Sequence, residues 1–133
     1  MEKKYELTDE TIEVGRKTLR RIRALKDFGD VKADDLSGFI AKEDNLSHHG
    51  NCWIGGYAKV YDDAKVYENA QVYDKSRIYG KAEVFDEPCI YGHAEVYGDA
   101  HIYGHAKIYG EACICWDDWI DGDKRISTRK QTR

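Results

Sequence analysis

Ala58-Lys59-Val60-Tyr61-Asp62-Asp63 runs directly into Ala64-Lys65-Val66-Tyr67-Glu68-Asn69 and then Ala70-Gln71-Val72-Tyr73-Asp74-Lys75, and this six-residue unit decides the fold. Extended along the chain, it places Ile54, Val60, Val66, Val72, Ile78, Val84, Ile90, Val96, Ile102, Ile108, Ile114, Ile120 and Ile126 six residues apart, with no other Val, Ile, Leu or Met among them. A step of six advances a helix by about 240° and scatters these side chains over three sides, so an amphipathic helix is excluded. Two residues before most of them stands a small one: Ala58, Ala64, Ala70, Ser76, Ala82, Ala94, Ala100, Ala106 and Ala112. Residues two apart share a strand face, so the small and aliphatic residues point inward and the residue between them outward.

The next position holds Tyr61, Tyr67, Tyr73, Tyr79, Phe85, Tyr91, Tyr97, Tyr103 or Tyr109, which alternation directs outward. After it comes Gly56, Asp62, Asp74, Gly80, Asp86, Gly92, Gly98, Gly104 or Gly110, residue types that tolerate the positive φ of a sharp bend. Each hexad is one short strand and one corner. Chains built this way close a narrow prism whose turns stack by parallel pairing about 4.8 Å apart.

The sequence resembles the hexapeptide-repeat left-handed β-helix superfamily, in which three hexads make one triangular coil of about 18 residues. The similarity runs without interruption over 54–113, and its VYGxAx form is closest to tyrosine-rich members, which include proteins read as transferases and many phage or prophage proteins. The segments KYELTDETIEV, RIRALKDFGDVK, DNLS and GNCW look like the N-terminal region of those phage-type proteins. Pro88 in place of the small residue, Glu68 in place of a bend residue, and Cys115-Trp116-Asp117-Asp118-Trp119 depart from the motif. The resemblance implies an all-β, left-handed parallel β-helix and favours a homotrimer.

Composition agrees with a solenoid. The chain has 133 residues, net charge -4, 35% charged residues, one Pro, and ten Tyr against five Leu, which leaves material for one domain with a thin core. No apolar run approaches the roughly 18 residues of a membrane span, and no signal-peptide segment opens the chain, so a soluble, cytoplasmic protein is expected. Cys52, Cys89, Cys113 and Cys115 lack a CxxC pair and are expected as free thiols. Residues 54–122 hold six Lys/Arg against thirteen Asp/Glu, whereas 124–133 hold five basic residues and no acidic one.

Carrying the register backward fits Leu36 to Ala41, fits His48 to Trp53 apart from a polar core position, and breaks at Lys42. The expected organisation is a β-rich cap over 1–35, a β-helix over 36–126 and a basic flexible tail over 127–133. Within the β-helix, 36–53 is an irregular opening coil, 54–113 the regular repeat and 114–126 a C-terminal capping turn. Strand patterns at Tyr5 to Thr8, Thr11 to Val14 and Thr18 to Leu25, with a turn at Gly15-Arg16-Lys17, furnish the cap that shields the open end of a solenoid core. Trp116 and Trp119 are expected to serve the other end.

A stride of 18 builds three aromatic ladders: Tyr61, Tyr79, Tyr97; Tyr67, Phe85, Tyr103; and Tyr73, Tyr91, Tyr109. They read either as structural stacks or as a partner or subunit surface, and acidic flanks suit a protein partner better than nucleic acid. Only the tail, with Lys124, Arg125, Arg129, Lys130 and Arg133, offers contacts to nucleic acid or another anion, against a plain reading as a solubilising end. Acyltransferases of the resembled superfamily use a coil histidine as general base, which makes His93, His101 and His105 candidates; the stride equally sets them beside Glu111, Glu83 and Glu87 as surface pairs, the reading favoured here. Those enzymes interrupt the repeat with a pocket-building loop, and 54–113 has no insertion. The three histidines do not match the spacing of the superfamily's metal-binding members, Cys113 and Cys115 flank Ile114 without a convincing third ligand, and neither a metal site nor a cofactor is assigned.

The leading expectation is therefore a non-enzymatic binding or scaffold protein, possible in a phage setting as an inhibitor of host defence. The alternatives are a histidine-based acyltransferase at a trimer interface and sequestration of a small anionic signal molecule in clefts between subunits.

Overall fold

Each hexad folds as a two-residue strand and a corner. In the computed structural model, which describes residues 3–115 and 117–127, two longer strands, β1 (Tyr5–Val14) and β2 (Lys17–Ala24), and a five-residue β3 (Leu36–Ile40) precede thirteen such strands, one per aliphatic residue from Ile54 to Ile126. They form three sheets. The first face carries β4 (Trp53–Ile54), β7 (Gln71–Val72), β10 (Cys89–Ile90), β13 (Lys107–Ile108) and β16 (Arg125–Ile126). The second carries β5 (Lys59–Val60), β8 (Arg77–Ile78), β11 (Glu95–Val96) and β14 (Cys113–Ile114), extended by β3, β2 and β1. The third carries β6 (Lys65–Val66), β9 (Glu83–Val84), β12 (His101–Ile102) and β15 (Trp119–Ile120). Pairing between coils is parallel with partners 18 residues apart, as in Trp53 with Gln71, Lys59 with Arg77 and Lys65 with Glu83. The chain is thus a parallel β-helix of about five turns. No helix among the described residues is long and apolar enough to cross a membrane.

The aliphatic residues from Ile54 to Ile120 are at most 3% exposed, and the alanines two residues before them are equally buried. One aliphatic per face and one small residue per corner fill the prism, each aliphatic contributing roughly 1.5–3 kcal/mol by leaving water. Pro88 and Asp118 take the small position in their hexads and are buried there, so the coil absorbs both departures from the motif.

The corners are left-handed: φ is 58° at Asp62, 60° at Glu68, 63° at Asp74 and 64° at Asp86. These acidic residues also reach along the stack. Asp62 accepts a hydrogen bond from the Gly80 N–H (3.1 Å), Glu68 from Asp86 (2.9 Å), Asp74 from Gly92 (3.0 Å) and Asp86 from Gly104 (3.0 Å). Glu68 therefore serves its corner as the aspartates do. Replacing Asp86 by alanine removes this bond and leaves a β-carbon at positive φ without compensation, with an expected cost of about 2 kcal/mol in urea unfolding. Asp86→Gly loses the bond but relaxes the backbone, and about 1 kcal/mol or less is expected.

The opening coil does not keep the register expected for it. Ile40 pairs opposite Val60 and Leu46 bridges to Val66, an offset of 20 residues, so Ile40 and Leu46 are the core residues while Leu36 is 54% exposed. The two additional residues lie between Leu46 and Ile54, where the chain passes through Ser47 to Asn51 before rejoining the frame at Cys52. Lys42 stands at a corner, not in the core. Buried Asn45 closes that corner: its side-chain oxygen accepts from the N–H groups of Ala41 and Lys42, and its amide donates to the carbonyls of Asp62 and Ala64.

β1 and β2 form an antiparallel hairpin across Gly15 and Arg16, β2 pairs antiparallel with β3, and β3 joins the parallel stack. Tyr5, Ile22 and Ala24 pack onto the main core at its open end, and the Tyr5 hydroxyl donates to the Leu46 carbonyl at 2.6 Å. The buried Lys4 ammonium donates to the Cys52 carbonyl (2.7 Å); burial lowers its pKa, opposed by the neighbouring Cys52 thiol. Further along the hairpin, Leu19 packs with Phe39 and Tyr61 against Ile12 and Val14. At the other end, β14 to β16 carry Ile114, Ile120 and Ile126 in the same stacking frame.

Candidate functional site

The stride of 18 converts each outward position of the hexad into a column running along the prism. The position after the aliphatic residue forms the three ladders. Ring centroids are 5.1 and 5.0 Å apart through Tyr61, Tyr79 and Tyr97, 5.1 and 5.2 Å through Tyr67, Phe85 and Tyr103, and 5.6 and 5.2 Å through Tyr73, Tyr91 and Tyr109, with all ring planes nearly parallel. Parallel stacking at one strand spacing contributes about 0.5–1.5 kcal/mol per pair. Five of the hydroxyls are also engaged with the residue 16 positions on, which is the outward residue of the next coil. Tyr67 donates to Glu83 (2.8 Å), Tyr79 donates to Glu95 (3.0 Å), and the Cys113 thiol donates to the Tyr97 hydroxyl (3.4 Å). Tyr61 meets Arg77 and Tyr73 meets Cys89 in the same way.

Burial, together with the carboxylate and thiol contacts, raises the pKa values of Tyr67, Tyr73, Tyr79 and Tyr97. Burial, then Cys89, pushes Tyr73 up to about 12; burial and the facing carboxylates push Tyr67 and Tyr79 above their usual range, as the Cys113 and Cys115 contacts do for Tyr97. A folded pKa above the unfolded value of about 10 means stability that is intact below that pH and lost as pH rises through the folded value. Circular dichroism is expected to hold to about pH 10 and then fall together with the appearance of tyrosinate absorbance. Complete tyrosinate titration near pH 10 with the dichroism unchanged would contradict the ladder packing.

The three ladders differ in cover. Tyr61 is 6% exposed because the hairpin lies over it, with Leu19 in contact and the Lys17 ammonium 6.0 Å from its ring. On the first face the column begins with Gly55 in place of an aromatic, and Tyr73 is 37% exposed.

The histidines are not gathered. His101 lies on the third face beside Glu83, its ring stacked on Trp119 at 4.3 Å and its Nδ1 2.9 Å from the Asp99 carbonyl oxygen. His105 stands at the corner between the third and first faces, 3.2 Å from Glu87. His93 stands at the corner between the first and second faces, in a hollow with Glu111. Trp119 is exposed and covers His101 instead of the end of the core, while Trp116 lies outside the described residues. Among the described residues no group of three or more His, Cys, Asp or Glu is arranged to hold a metal ion. No disulfide joins the four cysteines; Cys113 is half-buried, and Cys115, at the ladder position below Tyr97, is buried and contacts that tyrosine. Lys124 sits 3.9 Å from Asp121 and Arg125 belongs to β16, so both are part of the last coil, whereas Arg129, Lys130 and Arg133 lie outside the described residues.

The hollows are open grooves along the corners. One of about 710 Å³ runs between the third and first faces, lined by Ser47, His49, Tyr67, Glu68, Glu87 and His105 among others. Another, of about 470 Å³, brings together Tyr57, Lys59, Lys75, Arg77, His93 and Glu95. This second grouping was missed in the sequence. It is two adjacent columns of the same stride, Tyr57, Lys75, His93 at the corner and Lys59, Arg77, Glu95 on the second face. Writing the chain out in rows of 18 would have revealed it. Burial, then repulsion from Arg77 and Lys75, holds the Lys59 pKa below its usual value.

No protein-family model matches the chain, and no curated protein matches it.

Proposed function

We propose that this protein is a non-enzymatic binding or scaffold module, a homotrimer that presents a rigid solenoid face to a macromolecular partner; the resemblance of its leader to phage-type proteins supports a host-defence component as that partner. The observation that carries the reading is the first face. Tyr73, Tyr91 and Tyr109 form a continuous stacked stripe, the ladder is not roofed by the hairpin, and its first ring is the most exposed ladder member. A flat row of aromatic rings on a stiff backbone offers contact area at low entropic cost, and tyrosine is enriched at interfaces. The net charge of -4 favours a protein over a nucleic acid.

The test is affinity capture from the host with the wild-type chain and a Tyr73→Ala, Tyr91→Ser double variant, monitored by circular dichroism for folding. A specific protein recovered by the wild type and lost from the folded variant is the expected result. Equal recovery by both would remove the first face from the proposal.

A further inference from the structure

The ladder face does not account for the cation cluster at the corner between the first and second faces. Residues 54–122 contain only six basic side chains against thirteen acidic ones, yet three of the six, Lys59, Lys75 and Arg77, line one hollow. None of the three forms an ion pair among the described residues. The Lys59 ammonium has only the Tyr57 carbonyl, at 3.3 Å. Arg77 touches the Tyr61 hydroxyl, and Glu95, the carboxylate next in the column, is already held by Tyr79. Lys59 and Arg77 are direct partners on adjacent strands, about 4.8 Å apart. Crowding like charges while acidic residues elsewhere go unused costs stability unless an anion is bound between them.

The same hollow holds Tyr57, 59% exposed and the most exposed large apolar side chain among the described residues. The Arg21 guanidinium, itself paired with Glu10 at 3.6 Å, lies 5.3 Å from its ring and fixes the ring from one side. His93 extends the corner column beyond Lys75. An exposed ring beside a row of cations is the chemistry that receives a planar base and its phosphate.

We infer that the hollow formed by Tyr57, Lys59, Lys75, Arg77 and His93 binds a small nucleoside phosphate, with the base against Tyr57 and the phosphate on Lys59, Lys75 and Arg77. The volume of about 470 Å³ lies within the range of small-molecule sites, roughly 300–1,000 Å³. An extended polynucleotide fits less well: Glu95, the cross-strand partner of Arg77, closes one end of the hollow, and a longer backbone would run on along Asp74 in one direction and Glu111 in the other, carboxylates that repel it. The site is complete within one chain and borders the first face, Lys75 and His93 following Tyr73 and Tyr91 by two residues, but ADP titration of the isolated protein and capture of a partner are separate readouts, so the failure of either proposal is distinguishable from that of the other.

Isothermal titration at low salt with ADP, adenosine, inorganic phosphate and a short single-stranded oligonucleotide tests it. ADP is expected to bind more tightly than adenosine or phosphate alone. Arg77→Gln and Tyr57→Ala are each expected to weaken ADP by about tenfold. Lys75→Gln, an exposed change that leaves the Tyr61 contact intact, should also weaken it, and Lys81→Gln at a different corner should not. Absence of ADP binding at millimolar concentration, affinity unchanged in all three cluster variants, or tighter binding of the oligonucleotide would each overturn the assignment.

Discussion

Ile90→Ala is expected to destabilise the protein by about 2–5 kcal/mol, the range for truncating a fully buried aliphatic side chain. Ile90 is completely buried and stacks between Val72 and Ile108 in the middle of the first face. A solenoid is held together by nearest-neighbour interfaces, so a cavity at the centre weakens the docking of the coils on both sides. With a total stability of about 5–15 kcal/mol usual for a domain, such a loss should move the urea midpoint far enough to leave the variant partly unfolded under mild conditions. Ile126→Ala, at the half-exposed end of the same column, should cost about 1 kcal/mol or less. Equal effects at the two positions would mean that the column does not form one continuous core.

Gly38→Ala should be comparably damaging for a different reason. A β-carbon on Gly38 would lie 2.4 Å from Ile54 Cγ2 and 2.9 Å from the carbonyl oxygens of Ile54 and Ala58. β3 can admit it only by moving away from the first coil, and β3 is the strand through which the hairpin joins the stack. The expected cost is about 1–3 kcal/mol or more, with early loss of amide protection in β1 and β2 during native-state hydrogen exchange. Gly15→Ala is the informative control: it carries a positive φ of 61° but faces open space, so only the local backbone cost of about 1 kcal/mol is expected. A Gly38→Ala variant with wild-type protection in the hairpin would show that β3 does not tie the hairpin to the coil.

The three-faced stack was legible because a single apolar residue per hexad leaves little ambiguity about which side chain points inward. The ladders followed from the same arithmetic, and all nine aromatic residues lie where the stride of 18 puts them. The opening coil was not legible, since His48 occupies the position that the unbroken period reserves for a core residue and Leu46 takes the role two residues earlier. A two-residue insertion in a turn-rich segment shifts the register without altering the hydrophobic pattern on either side of it. Hydroxyl contacts such as Tyr67 with Glu83 and Tyr79 with Glu95 depend on how far a tyrosine leans along the prism, which periodicity does not encode. The cation cluster was present in the columns but hidden by the overall negative charge, because a net value of -4 averages over a surface on which position matters.

Native mass spectrometry of the protein purified from its own host tests the proposed binding role most directly, since it reports stoichiometry and bound species together. A trimer carrying a specific macromolecular partner is the predicted result. A monomer with no partner at any protein concentration would contradict the proposal.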